Sequence, residues 1–447
     1  MRLPARPTIY EINTAVWLSH LGVHTLAQVP ARAWDGLTAL GVDAVWLMGV
    51  WERSPAGLEI ALSDPALAES FHVALPDLRP GDVIGSPYCV RRYEVDERFG
   101  GRAGLAYARE QLAARRLGLI LDYVPNHVAP DHPWVQSNPE YFIPDENGIH
   151  GVARGRDPYF PPWPDVVQLN AFDPGLRGAV ADMLVDVGSQ CDGLRCDMAM
   201  LMTNEVFART WGLQAPEEEF WPQLISRVKW THPDLVFIAE AYWDMEYQLQ
   251  QQGFDFCYDK RLYDRLAHEG PEAVRGHLQA DLDYQAGLVR FIENHDEPRA
   301  AATFGGAQAR AAAVVMSTIP GARLFHDGQL SGRRIHVPVF LGRAPEEQPD
   351  ADLRAFYQRL LPAVAELRGD WRLCETEHPN LLAWAWDEHL IVVNLGANGA
   401  QGAVHAPWGT DVTLTDRLSG AIYSRTPGEL FVILPAWGAH FFRWTSA

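Results

Sequence analysis

The sequence predicts an α/β fold: a (β/α)8 TIM barrel with a small inserted domain after the third strand and a C-terminal antiparallel β-sandwich domain. Eight short, nearly continuous apolar runs, typical of buried parallel strands, alternate with amphipathic helical stretches. The alternation is interrupted once by a long segment rich in proline and aromatic residues. Near the C-terminal end it gives way to short strands separated by Gly, Pro and Asn. These observations define the predicted architecture.

The predicted barrel strands are short apolar runs, with the bounds Thr8–Ile12, Ala44–Met48, Leu119–Val124, Gly193–Asp197, Val236–Glu240, Phe254–Tyr258, Leu288–Ile292 and Ala322–Phe325. Helices are predicted between them, for example at Leu105–Leu117 and Gly175–Val187, where apolar residues recur with a helical period. A further amphipathic helix at Asp352–Leu367 ends the barrel region.

The inserted segment, residues 128–172, is longer than a connection between a strand and a helix needs. We assign residues 1–127 and 173–370 to the barrel and residues 371–447 to the C-terminal β domain. The strands predicted in that domain are Leu381–Trp386, Leu390–Leu395, Val412–Leu414, Leu430–Leu434 and His440–Trp444.

The composition excludes several classes of partner. The 447 residues carry a net charge of −20, which disfavours nucleic acid and anionic membrane surfaces. No apolar run approaches the roughly 20 residues that span a bilayer, and no signal-type segment is visible, so we expect a cytoplasmic protein. The five cysteines are scattered without Cys-x-x-Cys spacing and are predicted to be buried, reduced thiols.

Acidic residues lie at or near the carboxyl ends of four predicted strands, namely Asp122, Asp197, Glu240 and Asp296. The carboxyl ends of barrel strands meet on one face, so we expect Asp197, Glu240 and Asp296 to share a pocket. One acid at a strand end can be a helix cap or an ion pair, but three repelling carboxylates in one pocket favour chemistry. Glycoside hydrolysis uses such a group, with one carboxylate as nucleophile and a second as acid.

At these strand ends the sequence resembles the α-amylase family of retaining α-glycosidases and transglycosidases (glycoside hydrolase family 13). The four matching signatures are Asp-x-x-x-Asn-His at Asp122–His127, Gly-x-Arg-x-Asp at Gly193–Asp197, the strand-closing Glu240, and Asn-His-Asp at Asn294–Asp296. Their combination in this order is more specific than any one of them. The resemblance implies that residues 128–172 are the family's inserted domain, which walls one side of the cleft.

The resemblance implies a role for each residue. Asp197 is the nucleophile, and Arg195, two residues earlier on the same strand, holds it ionised. Glu240 is the general acid/base and needs a raised pKa to be protonated when the glycosidic oxygen leaves. Asp296 stabilises the transition state. The remaining implied substrate-site residues are Asp122, His127, His295 and Tyr88, the last of which stacks on the bound sugar.

Two departures from the family pattern bear on specificity and cofactors. Met200 and Leu201 stand where α-amylases proper carry a Lys-His pair that contacts sugars on the leaving-group side. We therefore expect a preference for short oligosaccharides over polymeric starch. No convincing set of calcium ligands is visible, because Asn126 and Asp165 alone are too few. We expect catalysis without a metal or cofactor, and any calcium in the inserted segment is expected to be structural.

The leading interpretation is a retaining glycoside hydrolase acting on α-glucosidic linkages of malto-oligosaccharides or related α-glucans. A transglycosylase with the same residues is the near alternative, because both reactions share one covalent intermediate. Behind it stands a phosphorolytic or sucrose-type enzyme. The alternative from a different class is a non-catalytic carbohydrate-binding member, which typically lacks a catalytic carboxylate.

Overall fold

The structure is a computed structural model that describes residues 2–446, and within that range eight parallel strands form a closed barrel. The strands follow one another around the barrel in chain order, with the bounds β1 Thr8–Asn13, β2 Ala44–Met48, β3 Gly118–Tyr123, β4 Gly193–Cys196, β5 Val236–Ala239, β6 Phe256–Tyr258, β7 Leu288–Arg290 and β8 Ala322–His326. This confirms the predicted barrel. Each predicted strand end lies within two residues of the observed one.

The strand register sets the position of the candidate site. Asp122 in β3 pairs with Arg195 in β4, and Arg195 pairs on its other side with Ile238 in β5. Asp197 and Glu240 come directly after β4 and β5. Because parallel strands all point the same way, these three strand ends bring their polar side chains to one edge of the barrel.

Helices alternate with the strands as predicted. The predicted helices at Leu105–Leu117, Gly175–Val187 and Asp352–Leu367 are observed at Gly101–Ala114, Pro174–Gly188 and Ala351–Ala365. The second of these begins with Pro174, and Asp173 caps it by accepting a hydrogen bond from the Leu176 N–H. The other α-helices are Thr14–Leu21, Ala31–Ala39, Pro55–Ser63, Pro65–Ala74, Trp134–Ser137, Asn204–Trp211, Phe220–Thr231, Glu246–Gln251, Lys260–Asp264, Pro271–His277, Leu282–Ala286, Ala300–Thr303 and Gly306–Thr318.

Two pairs of short strands lie in the connections that follow barrel strands. Trp51–Arg53 pairs with Val90–Val95, and His127–Val128 pairs with Val167–Gln168 at the two ends of the inserted segment. A further strand, Pro144–Ile149, lies within that segment. The residue bounds that we assign to the inserted domain stay a prediction.

The C-terminal region is an antiparallel β domain, as predicted. Its strands are β9 Arg372–Cys374, β10 Leu381–Trp386, β11 His389–Asn394, β12 Ala400–His405, β13 Val412–Asp416, β14 Ile422–Arg425, β15 Glu429–Leu434 and β16 Ala439–Ser446. Strands β9-β10-β11-β16-β13-β14 form one sheet, and β12-β15 form another. Side chains from both sheets, such as Leu390 and Val432, share one apolar core, which makes the domain a sandwich.

The chain divides into two compact units. One holds the residues up to Tyr258 together with His336–Glu346, and the other holds Asp259–Ile335 and the residues from Glu347 onward. The segment His336–Glu346 belongs with the first unit because Arg343 forms ion pairs with Asp77 and Asp82 there.

All five cysteines are buried free thiols, which confirms their predicted state. Across residues 2–446, the helices are too short or too polar to cross a membrane.

Candidate active site

Asp197 and Glu240 contact the same guanidinium in the first unit. The Nη1 atom of Arg195 lies 2.7 Å from Asp197 Oδ1, and its Nη2 atom lies 2.7 Å from Glu240 Oε2. The three side chains are almost fully enclosed, since Arg195 is 1% exposed, Asp197 10% and Glu240 4%. One planar cation therefore draws together the two carboxylates that the sequence predicts to react.

Asp122 supports this arrangement from β3. Its Oδ1 atom lies 3.6 Å from Arg195 Nη1, and its Oδ2 atom accepts a 3.1 Å hydrogen bond from the Gly49 N–H. Gly49 has φ 78°, and a Cβ atom there would lie 2.6 Å from the Pro87 Cβ. Glycine is therefore required where this backbone donates to Asp122. Asp122 thus serves to hold Arg195 in place.

Three aromatic rings surround Arg195. Its guanidinium carbon lies 5.2 Å from the ring centroid of Trp46, 5.3 Å from that of Tyr88 and 5.6 Å from that of Tyr258. Burial alone would lower the pKa of Arg195, but the nearby Glu240 and Asp197 raise it well above its usual value. The rings and carboxylates together fix a permanent positive charge between the two acids.

Glu240 accepts hydrogen bonds from two donors that the sequence motifs do not reveal. The Tyr242 hydroxyl donates to Glu240 Oε1 at 2.9 Å, and the Met198 N–H donates to Glu240 Oε2 at 2.6 Å. Met198 adopts a left-handed backbone, with φ 42° and ψ 46°, which is strained for a residue with a side chain. Together with Arg195, these donors favour the charged form of Glu240, whereas the predicted acid role needs its protonated form.

His127 lies at the edge of this group, against the inserted segment. Its ring centroid is 5.1 Å from that of Trp163, and it is hydrogen-bonded to the Tyr88 backbone. Burial lowers the pKa of His127, although the charge of Asp197 acts in the opposite direction. The imidazole is therefore neutral at neutral pH, which suits a hydrogen bond with a sugar hydroxyl.

Asn294, His295 and Asp296 lie in the second unit, after β7. His295 is buried, and its Nε2 atom lies 3.0 Å from Asp296 Oδ2, while the Asp296 side chain is 42% exposed. The Asn294 side chain accepts hydrogen bonds from the N–H groups of Asp296 and Glu297. The role of Asp296 and His295 beside Asp197 and Glu240 stays a prediction.

The preference for short oligosaccharides that we expect from Met200 and Leu201 stays a prediction. Both lie in the 3-10 helix Ala199–Met202, and they are 0% and 2% exposed. Apolar residues belong there because the helix packs into the core. These side chains are enclosed to the same degree as Arg195 and Glu240 in the candidate site.

Metal-ligating side chains are not grouped in the part of the chain that the structure describes. Among residues 2–446, no cluster of three or more His, Cys, Asp or Glu side chains is arranged to hold an ion. Of the two calcium candidates, Asp165 is buried, and that burial raises its pKa to about 6. Asn126 is hydrogen-bonded to Gln168 instead.

Comparison with known proteins identifies relatives that are similar in sequence. No protein-family model matches. The chain is 25% identical over 439 residues to α-amylase MalA of Haloarcula japonica, covering 92% of this chain and 58% of that protein. It is 28% identical over 179 residues to an α-1,4-glucan:maltose-1-phosphate maltosyltransferase of Cereibacter sphaeroides, covering 37% of this chain and 26% of that protein. The chain spans 58% and 57% of the lengths of the two curated α-amylases it matches.

The fold comparison points the same way. The chain superposes on the α-amylase of Geobacillus thermoleovorans, solved in complex with acarbose, with a TM-score of 0.73, 17% identity and 100% coverage of both chains. The similarities in sequence and fold confirm that this chain resembles the α-amylase family.

Proposed function

We propose that this protein is a retaining glycoside hydrolase that acts on α-glucosidic linkages of malto-oligosaccharides or related α-glucans. The observation that carries the proposal is the contact of Asp197 and Glu240 with one buried guanidinium. Retaining enzymes need their two carboxyl groups only about 5–5.5 Å apart, and a shared arginine is consistent with such a short separation. The curated similarity to α-amylases agrees with this reaction and substrate class.

Each step of the proposed reaction is assigned to a residue of this chain. Asp197, which accepts a hydrogen bond from Arg195, attacks the anomeric carbon and forms a glycosyl ester, while Glu240 gives a proton to the leaving oxygen. Glu240 then takes a proton from water, which attacks the same carbon and frees Asp197. Tyr88, beside Arg195, offers a ring face to the sugar.

Three further side chains are proposed to bind the hydroxyl groups of the sugar. His127 and, in the second unit, His295 and Asp296 are the proposed hydroxyl-binding groups. Glu240 must become protonated, so we infer that sugar binding loosens its contact with Arg195.

The proposed chemistry is carried out by carboxylates and needs no metal ion. We also infer a cytoplasmic location, because all five cysteines are free thiols.

Transglycosylation is the second candidate, and one observation favours it. The chain matches a relative that is named as a maltosyltransferase, although over only 37% of this chain. A sugar in place of water would then capture the same ester on Asp197. A non-catalytic carbohydrate-binding role is disfavoured because Asp197, Glu240 and Arg195 are all present and in contact.

Product analysis tests both candidates. The protein is incubated with maltose, maltotriose, sucrose, trehalose and glycogen, and proton NMR records the first-formed anomer. We expect the α anomer. Shorter products alone indicate hydrolysis, and products longer than the substrate indicate transfer. A first-formed β anomer contradicts the retaining mechanism, and no turnover of any α-glucoside contradicts the proposed function.

A further inference from the structure

Three oxygen atoms surround the side-chain nitrogen of Gln168. Its Nε2 atom lies 2.9 Å from the Asn126 carbonyl oxygen, 2.9 Å from Asn126 Oδ1 and 3.0 Å from the Leu169 carbonyl oxygen. Gln168 is fully buried, at 0% exposure. Carbonyl and amide oxygens converging on one buried point are the kind of ligands that a hard cation such as Ca²⁺ prefers.

The orientation of this amide is fixed by its other end. Gln168 Oε1 accepts hydrogen bonds from Asn126 Nδ2 at 3.2 Å and from the Arg156 N–H at 3.3 Å. A backbone N–H can only donate, so the oxygen must face Arg156. Reversing the amide would also place an oxygen against three oxygens. The NH2 group, with its partial positive charge, therefore points into the oxygen cluster.

The cluster lies where the inserted segment meets the barrel. Gln168 pairs with His127 across the two short strands His127–Val128 and Val167–Gln168. The Leu169 N–H also donates to the Asn126 carbonyl oxygen at 3.1 Å. Asn126 precedes His127 directly, so whatever holds Asn126 also sets the position of His127 at the edge of the candidate site.

We propose that the Gln168 side-chain amide occupies the place of a structural cation and ties the inserted segment to the barrel beside His127. The cluster does not fit calcium, because both Asn126 oxygens and the Leu169 oxygen already accept hydrogen bonds from Gln168. The link is made by the chain itself. Replacing the amide by a carboxylate removes the donor and adds a fourth oxygen ligand, which converts the cluster into a cation site.

The test compares thermal unfolding of the full chain in EDTA and in millimolar Ca²⁺. The wild type is expected to unfold at the same Tm in both. The variant Gln168→Asp is expected to unfold at a lower Tm in EDTA, and Ca²⁺ is expected to restore much of the loss, with one ion bound per chain by calorimetric titration. The readouts are Tm and bound calcium, so they do not depend on the proposed enzymatic function.

Two further variants separate this proposal from general destabilisation. Gln168→Met keeps the length of the side chain without a donor and is expected to lose Tm that Ca²⁺ does not restore. Gln329→Asp is the matched control, because Gln329 is also buried but its Nε2 atom donates to the Tyr357 hydroxyl. It too is expected to lose Tm without rescue by calcium.

Two results overturn the proposal. One is a wild-type protein that retains stoichiometric calcium after gel filtration and loses Tm in EDTA. The other is a Gln168→Asp protein whose Tm Ca²⁺ does not raise. If that variant gives no folded protein, the wild-type comparison decides alone, and a wild-type Tm that falls in EDTA and is restored by Ca²⁺ contradicts the proposal.

Discussion

Two buried clusters of charged side chains, one in each compact unit, differ in the ratio of carboxylates to their partners. In the first unit, the carboxylates of Asp122, Asp197 and Glu240 all lie within 3.6 Å of Arg195. In the second unit, the single carboxylate of Asp259 contacts both Arg290 and His277, whose Nε2 atom is 2.9 Å away. The first cluster has three carboxylates around one arginine, and the second pairs one carboxylate with one arginine and a histidine.

The difference separates a reactive cluster from a structural one. Burial alone would raise the pKa of Asp259, but Arg290 and His277 hold it well below its usual range. The charge of Asp259 is balanced by Arg290 inside the cluster, which suits a structural role. Excess negative charge around Arg195 is unfavourable for folding, so its presence there is better explained by acid and base chemistry.

The largest expected effect is on the reactive cluster. Asp197→Asn and Glu240→Gln should each lower kcat by several orders of magnitude while Tm stays near that of the wild type, because each change removes a charge and keeps the shape. Initial rates on maltotriose and a thermal unfolding curve measure both quantities. Activity within tenfold of the wild type in either variant would remove that residue from the mechanism.

Asp259→Asn tests the opposite cluster and should affect stability instead. The substitution leaves Arg290, which is 0% exposed, without its charged partner, at a cost of roughly 3–5 kcal/mol in the free energy of unfolding. The kcat of the folded variant should remain close to that of the wild type. Denaturant unfolding and active-site-normalised rates provide the measurement.

The same variant makes a prediction about pH. The folded-state pKa of Asp259 is depressed, so its contribution to stability is complete above its unfolded value of 3.8 and is lost as the pH falls below that value. The stability difference between wild type and Asp259→Asn should therefore shrink when the pH is lowered from 7 toward 3. A difference that grows on acidification, or a kcat reduced a hundredfold, would contradict the structural role.

The smallest expected effect comes from Tyr242→Phe, which removes one of the donors to Glu240. A hydrogen bond to a charged group is worth about 1.5–3 kcal/mol, so kcat/KM should change by about tenfold or more. Without this donor the protonated form of Glu240 persists to higher pH, so the alkaline limb of the pH profile of kcat/KM should move upward.

Tyr107→Phe, on the helix Gly101–Ala114, is the control for Tyr242→Phe. It should leave the pH profile unchanged. An alkaline limb that stays in place in Tyr242→Phe would reduce the Tyr242 hydroxyl to a packing role.

Much of the fold follows from local sequence patterns. The barrel strands are largely buried, so strands such as β2 and β3 are nearly continuous apolar runs that are visible without knowledge of their neighbours. Strand β12, Ala400–His405, was not predicted because its small and polar residues, including Gly402, give no such run. It forms through pairing with β15, which the local sequence does not encode.

The site residues also fall into those that local motifs reveal and those that depend on contacts between separate segments. Asp122, Arg195, Asp197 and Glu240 are visible because strand ends place them in recognisable motifs. Tyr242 was missed because it follows β5 in a turn, and nothing in the sequence states that its hydroxyl faces back toward Glu240. Gln168 was missed because its partner Asn126 lies 42 residues away and the pair meets only through the short strands of the inserted segment.

The left-handed backbone at Met198 affects how such a site can be found in other sequences. Its contact with Glu240 is made by a peptide N–H, which every residue except proline carries, so a motif built from side chains records nothing of it. The contact depends on a backbone dihedral angle, and glycine or asparagine adopts that angle with less strain than methionine. A profile would score such residues as unrelated to Met198, although the chains that carry them can share the same contact.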